Sequence, residues 1–448
     1  MGTVRASGKH PVGLAVLAAT ELAERFSYYG MTALLSLFMV NQLLLPGHAE
    51  HVLGLAGLRS LFEFRGPMSD LAFASLIYGW YGGLVYFTPI LGGWVADRWL
   101  GKKLTVVAGA LLMSAGHIAM TFDQTFLIAL LLLILGSGAL KGNIAAQVGK
   151  LYPEDSESLR ERGFTIFSTA INIGAVAGPL GTGTVQVVYG FHAGFALAAV
   201  LMLIALGVYL AGSRFLPDQR PARAAAAAGA PPLTPEEKKR TWLLVAIIAL
   251  LVPVSVTYTM IWNIGIIWVD QHVNLASPLG SVPASWFNSI DSFASIVVAP
   301  FLVGMWAAQA RRKKEPAAMT KIAIGAAITG ASGLLLTLGA LTASSGKVAV
   351  IWPLLAWFGM GVGFMWYWPI MLALMSKAAP PQVNGTLIGG GYLALFFGSA
   401  ISGWIGSFYD QMSNAAFWTL DAVIALASAL VILALKKPVN RILELCED

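Results

Sequence analysis

Apolar runs of about 20 residues recur along this chain of 448 residues. As a helix, each is long enough to cross about 30 Å of hydrocarbon. Inside a bilayer every backbone N–H and C=O must be satisfied by the chain itself, so only helices or a closed barrel can span it. Barrel strands would be half as long and would alternate in polarity, and these runs do neither. Composition agrees: 57% of the residues are hydrophobic and 11% are charged, against about 25% charged in a soluble domain. The expected class is an all-α integral membrane protein.

The runs predict twelve spans, at 12–43, 71–95, 104–121, 125–148, 163–188 and 190–210, then 242–269, 285–308, 321–341, 348–376, 386–408 and 415–435. A stretch rich in Pro, Ala and charge separates the two sets of six and reads as a solvated linker. The domain expectation is therefore an amino-terminal six-helix bundle over 1–212, a linker over 213–240 and a carboxy-terminal six-helix bundle over 241–448. The net charge of +6 would suit nucleic acid, but its placement argues for topology. One set of loops carries Arg5, Lys9, Arg98, Lys102, Lys103, Lys150, Arg160, Arg162, the linker cations, Arg311 to Lys314, Lys321, Lys377, Lys436, Lys437 and Arg441; the other carries Arg59, Arg65 and Lys347. Positive loops stay inside, so both termini and the linker are expected in the cytoplasm. Residues 1–10 are short, polar and basic and lead into a full-length span that contains charges, so no cleaved signal peptide is expected. Cys446 is the one cysteine, which excludes an intrachain disulfide. The six His show no metal-ligand spacing.

A charged side chain deep in a bilayer costs several kcal/mol, so charges inside spans mark function. The first span holds Glu21, Glu24 and Arg25, spaced three and four residues apart and hence on one helix face. Lys141 is a second intramembrane cation, and a carboxylate is its expected partner. Such a group can release an ion pair when a proton arrives and so convert protonation into helix movement; a purely structural ion network is the alternative. Tyr28, Tyr29 and Tyr86 place hydroxyls on apolar walls, useful for holding a polar ligand or for bonding a neighbouring helix. Asn172 could meet a substrate amide or a second helix. Asp291 reads as the one carboxylate well inside the second half, as a second protonatable site, as an anchor for a substrate cation, or as a satisfied structural acid. Trp262, Trp366 and Trp368 line a cavity or pack. Asp270, near the outer end of the seventh span, is a gate or interface residue. No nucleophile–base pair appears, so an enzyme is not expected.

The motifs also carry a resemblance. Residues 92–103, GGWVADRWLGKK, are similar to the loop motif of major facilitator transporters, in which Asp97 and Arg98 would tie helix ends together. The pattern from Glu21 to Gly30 resembles the ExxERFxYYG signature of the proton-dependent oligopeptide transporter family. Residues 75–101, the Lys141 segment at 135–143, the Asn172 segment at 164–176, residues 287–300 and residues 369–380 follow in that family's order. The resemblance implies a major facilitator fold of twelve helices in two halves that rock about a midplane site. It assigns proton coupling to Glu21, Glu24, Arg25 and Lys141. It assigns substrate binding to positions Tyr28, Tyr29, Thr32, Tyr86, Asn172, Trp262, Asp291 and Phe364.

Several of those positions depart from the family pattern. Thr32 stands where peptide carriers have an arginine, and the residues after Trp262 lack the acid that pairs with it. That joint loss is self-consistent, since either partner alone would be an unpaired buried charge. Phe364 replaces a glutamate, Ser168 a tyrosine, and Asp291 an asparagine. The implied function is a proton-coupled symporter importing di- or tripeptides by alternating access, driven by the inward proton gradient. The alternative is a symporter of the same family for a nucleoside, a modified peptide or an organic anion. A non-transporting membrane sensor on the same fold is a third class. No cofactor is expected beyond the proton; the expected partners are a small solute and the lipid bilayer, not nucleic acid. The chain is expected to work as a monomer in a bacterial inner membrane.

Overall fold

The computed structural model describes residues 10–153, 156–217, 232–278, 280–343 and 346–443. Arg5, Lys9, Cys446 and linker residues 218–231 lie outside these. Among the described residues ten helical runs are long and apolar enough to cross a membrane. One of them, Asp70–Ala119, holds two helices, and the first span, with its three charges, stands apart from the ten. Twelve long helices result: α1 Val12–Phe38, α2 Asp70–Val95, α3 Gly101–Ala119, α4 Phe126–Lys150, α5 Glu157–Tyr189, α6 Phe191–Gly212, α7 Pro235–Met260, α8 Ile290–Arg311, α9 Ala318–Thr342, α10 Ile351–Ala378, α11 Leu393–Gly406 and α12 Asn414–Leu443. Local chemistry sets several of their ends. At the start of α7 the Thr234 hydroxyl accepts from the Glu237 N–H at 3.2 Å, and the Glu237 carboxylate accepts from the Thr234 N–H at 2.8 Å. This capping box, with Pro235 in the first turn, satisfies donors that a helix start leaves open.

The segment expected to be a loop between α2 and α3 is instead helical. Ala96–Leu100 forms a π turn that carries α2 directly to Gly101, and the chain changes direction at Gly101, whose φ of +74° suits a residue without a Cβ.

The chain forms two compact units. The first comprises 1–31, 51–53 and 88–225; the second comprises 32–50, 54–87 and 226–448. In hydrocarbon, helices associate through close packing and interhelical hydrogen bonds rather than through the hydrophobic effect. The first unit uses both. A Cβ at Gly92, in α2, would sit 2.1 Å from the Gly138 carbonyl of α4. Hydrogen bonds reinforce that crossing: the Thr88 hydroxyl donates to the Ile134 carbonyl at 2.9 Å and the Asn143 amide to the Gly92 carbonyl at 3.2 Å. Gly174 and Gly178, one turn apart on α5, bring that helix against α1, where added Cβ atoms would lie 2.5 Å from the Leu22 and Phe26 carbonyls. That contact borders the charged face of α1.

The second unit repeats the device. A Cβ at Gly79 of α2 would meet the Gly403 Cα of α11 at 2.6 Å, and Ser75 donates to the Gly403 carbonyl at 3.0 Å. Large aromatic side chains fill its interior, with Trp268, Trp357, Tyr367 and Trp418 fully buried. After α7 the chain passes through a π turn, Ile261–Gly265, into a short helix, Ile266–His272. Inserted residues of this kind re-aim side chains and recur at functional sites.

Candidate functional site

In the first unit α1 presents Glu21, Glu24 and Arg25 inward, all buried. The Arg25 Nε lies 2.9 Å from Glu21 Oε1 and 2.5 Å from Glu24 Oε2, so one guanidinium bridges both carboxylates. The expected three-residue cluster therefore exists. Lys141, on α4, joins it through a ring: its Nζ sits 4.0 Å from the centroid of Tyr28, and the Arg25 Cζ lies 5.6 Å from the same centroid. Tyr29 packs edge-on against Tyr28 at 5.2 Å. Lys141 is attracted by Glu24 and Glu21 and repelled by Arg25, and these forces are strong where little water screens them. With every group ionised the cluster sums to zero: two carboxylates, one guanidinium, one ammonium. Asn172 of α5 is half-buried in the same unit.

In the second unit the structure places Thr32, Tyr86, Trp262, Asp291 and Phe364. Asp291, in the first turn of α8, is buried and accepts a hydrogen bond from the Tyr258 hydroxyl at 2.9 Å. The Tyr258 ring stacks on Phe364 of α10 at 4.9 Å, and Phe364 stacks on Trp368 at 5.7 Å. Tyr392 closes the row edge-on to Trp368 at 5.3 Å. A carboxylate thus stands at the end of an aromatic stack. Trp262, in the π turn, is buried. The next residue, Asn263, donates to the Ser75 carbonyl at 3.2 Å and to the Ser75 hydroxyl at 2.9 Å, which ties that turn to α2. Tyr86 packs at the edge of the core that contains Tyr367, and Thr32 is buried.

One expectation needs correction. Asp291 is not the one carboxylate inside the second half: Asp421 of α12 is fully buried too. The Asp421 backbone carbonyl accepts from the Thr257 hydroxyl of α7 at 2.7 Å. The rule that singled out Glu21, a charge within an apolar run, applied equally to Asp421. The motif at 92–103 makes its own contacts. Asp97 pairs locally with Lys102 at 3.0 Å, and the Arg98 guanidinium lies 5.9 Å from the Trp94 ring centroid. Lys103 donates to the Ser213 carbonyl just past α6 at 2.9 Å. Tyr258 was missed because an isolated tyrosine in an apolar helix carries no signal of its partner. Asp270 accepts from the Asn41 amide at 2.9 Å, an interhelical contact within the second unit. Among the described residues no group of His, Cys, Asp and Glu is arranged to hold a metal.

A model of the POT family matches residues 103–229 and 229–421. The chain belongs to the POT family. A di-/tripeptide transporter of Lactococcus lactis subsp. cremoris is 28% identical, the alignment covering 97% of this chain and 96% of that one. The crystal structure of a POT peptide transporter in complex with alafosfalin superposes with a TM-score of 0.85 at 27% identity, over 98% of this chain and 97% of the other. A second POT-family structure, in complex with 5-aminolevulinic acid, shares the fold with a TM-score of 0.82 at 22% identity, over 96% and 97% of the two chains. The protein is thus a multi-pass membrane protein with the major facilitator fold of POT transporters.

Proposed function

We propose that this POT-family protein is a proton-coupled symporter of di- and tripeptides that works by alternating access, with both termini in the cytoplasm of a bacterium and the inward proton gradient as its driving force. The observation that carries the coupling is the four-group cluster of Glu21, Glu24, Arg25 and Lys141 about the Tyr28 ring. It is neutral with all groups ionised, so one proton leaves an unbalanced positive charge in a buried place. Breaking one partner out of a buried ion pair costs about 3–5 kcal/mol. The bound proton therefore favours a rearrangement in which a cation leaves the carboxylates, and that movement is the link between protonation and helix motion. The peptide assignment rests on the likeness to the Lactococcus di-/tripeptide transporter. Within the second unit Tyr86, Trp262 and Asp291 supply polar groups for it. Asp291 would take the amino group in place of the glutamate that Phe364 replaces.

A second reading has its own observation. The stacked row of Tyr258, Phe364 and Trp368, with Asp291 hydrogen-bonded at one end, suits a flat solute such as a nucleoside. Both readings keep the proton cluster and differ in the cargo. Uptake into proteoliposomes with an imposed pH gradient separates them. Dialanine accumulation abolished by a proton uncoupler is the expected result. Accumulation of uridine with dialanine inert would replace the peptide reading with the second one.

A further inference from the structure

Where α7 begins and α12 ends, the second unit contains a cavity of about 770 Å³, lined by Glu236, Lys239 and Arg240 of α7 and by Lys437 and Arg441 of α12. Four cations face it against one carboxylate. Its walls are fixed from behind. The capping box holds the first turn of α7, and Leu244 of α7 shares a buried core with Val439 and Leu443 of α12. The cations are therefore presented on a formed surface rather than on a loose tail.

The flanking surfaces say what kind of anion fits. On α7 the positions Glu236, Lys239, Trp242, Ala246 and Ala249 recur every three or four residues and are all exposed, so they form one outward stripe. Trp242 is 72% exposed, and exposed tryptophans of membrane proteins sit at the headgroup level. On α12 an equivalent stripe runs from Arg441 through Lys437 to Leu433 and Leu430, all exposed. Both stripes pass from cations at the cavity to bare apolar surface within two turns. A soluble anion would use the cations and leave the apolar stripes unoccupied. A molecule with a phosphate head and acyl chains uses both.

We propose that this cavity binds the headgroup of an anionic phospholipid, with its acyl chains laid along the Trp242 and Leu430–Leu433 faces. Basic recesses between membrane helices recognise such headgroups by charge and by shape. The binding goes beyond solute transport and does not depend on which solute the protein carries. Lys437 and Arg441 sit at the end of α12, whose body packs on α7 and α9, so the lipid would clasp α7 and α12 at the membrane surface.

Native mass spectrometry of the purified full-length protein in an uncharged detergent tests this. It is titrated with phosphatidylglycerol, phosphatidylcholine or inorganic phosphate. Phosphatidylglycerol is expected to bind and the other two are not. Each surface cation is worth roughly a factor of five at an anionic lipid, so K239Q/K437Q/R441Q is expected to weaken phosphatidylglycerol binding on the order of 100-fold. In the wild-type protein roughly 1 M salt, which shortens the screening length to about 3 Å, is expected to strip the lipid. Equal phosphatidylglycerol binding by wild type and triple variant overturns the proposal. So does binding that ignores salt, a result that needs no variant. Displacement of phosphatidylglycerol by equimolar inorganic phosphate would mean an anion site with no lipid specificity.

Discussion

The buried acids of the two units are handled in opposite ways. In the first unit Glu21 and Glu24 share the Arg25 guanidinium, with Lys141 one ring away. In the second unit Asp291 is held by the Tyr258 hydroxyl, and Asp421 lies beside Thr257, whose hydroxyl is given to the Asp421 backbone. One unit balances charge with charge; in the other the Asp291 carboxylate meets a neutral hydroxyl at the end of an aromatic row. An ion-paired cluster responds strongly to one proton, because a proton unbalances it. The contrast separates the proposed coupling element from the element proposed to meet the cargo.

The largest effect should come from breaking the balanced cluster. Glu24→Gln or Lys141→Ala is expected to reduce gradient-driven accumulation by at least tenfold while exchange of solute across proteoliposomes continues. Loss of exchange as well would assign these residues to solute binding. Arg25→Leu leaves two buried acids facing each other and is expected to lower stability by about 3–5 kcal/mol, read as a falling thermal midpoint. Glu21→Gln in the same chain should restore part of that loss.

The second unit should respond differently. Asp291→Asn keeps the shape and removes the charge. It is expected to raise the KM for a cationic or amino-terminated solute about tenfold, with the proton-to-solute ratio unchanged. Tyr258→Phe removes one hydrogen bond to a buried acid, an effect of about 1–3 kcal/mol, and should shift the same KM in the same direction. A changed proton ratio in Asp291→Asn would erase the distinction between the units.

The smallest effect lies outside the membrane. Arg59 donates to Glu63 at 3.0 Å and to Asp70 at 2.7 Å. The hydrogen bond from Arg59, followed by the Met68 N–H, holds the half-buried Glu63 carboxyl below its usual range. A depressed carboxyl contributes stability above its unfolded pKa and loses it as the pH falls through its folded one. Glu63→Gln should therefore flatten the acid limb of the stability–pH profile slightly and leave transport unchanged. A transport defect would give this loop a functional part.

The sequence reading was strongest where covalent spacing does the work. Glu21, Glu24 and Arg25 share a face because three and four residues make one helical turn, and no tertiary knowledge is needed. Lys141 was legible as an intramembrane charge, but the Tyr28 ring between it and Arg25 depends on how α4 packs on α1. The Asp291–Tyr258 bond joins residues 33 apart in sequence, and no local pattern announces it. Residues 96–100 lie between the spans expected at 71–95 and 104–121, inside the motif that resembles a loop. A π turn instead carries the helix to Gly101. Likewise the close approach of α5 to α1 at Gly174 and Gly178 is a property of two helices, visible only once both are placed.

The central claim is that the cluster about Tyr28 converts proton binding into solute movement. Solute-dependent proton influx, followed with a pH dye inside proteoliposomes, measures that conversion directly. The wild-type protein is expected to acidify the lumen when peptide is added outside. The Glu21→Gln/Glu24→Gln protein is expected to give no peptide-dependent acidification while still exchanging labelled peptide. Peptide-dependent acidification of wild-type size in the double variant would contradict the account.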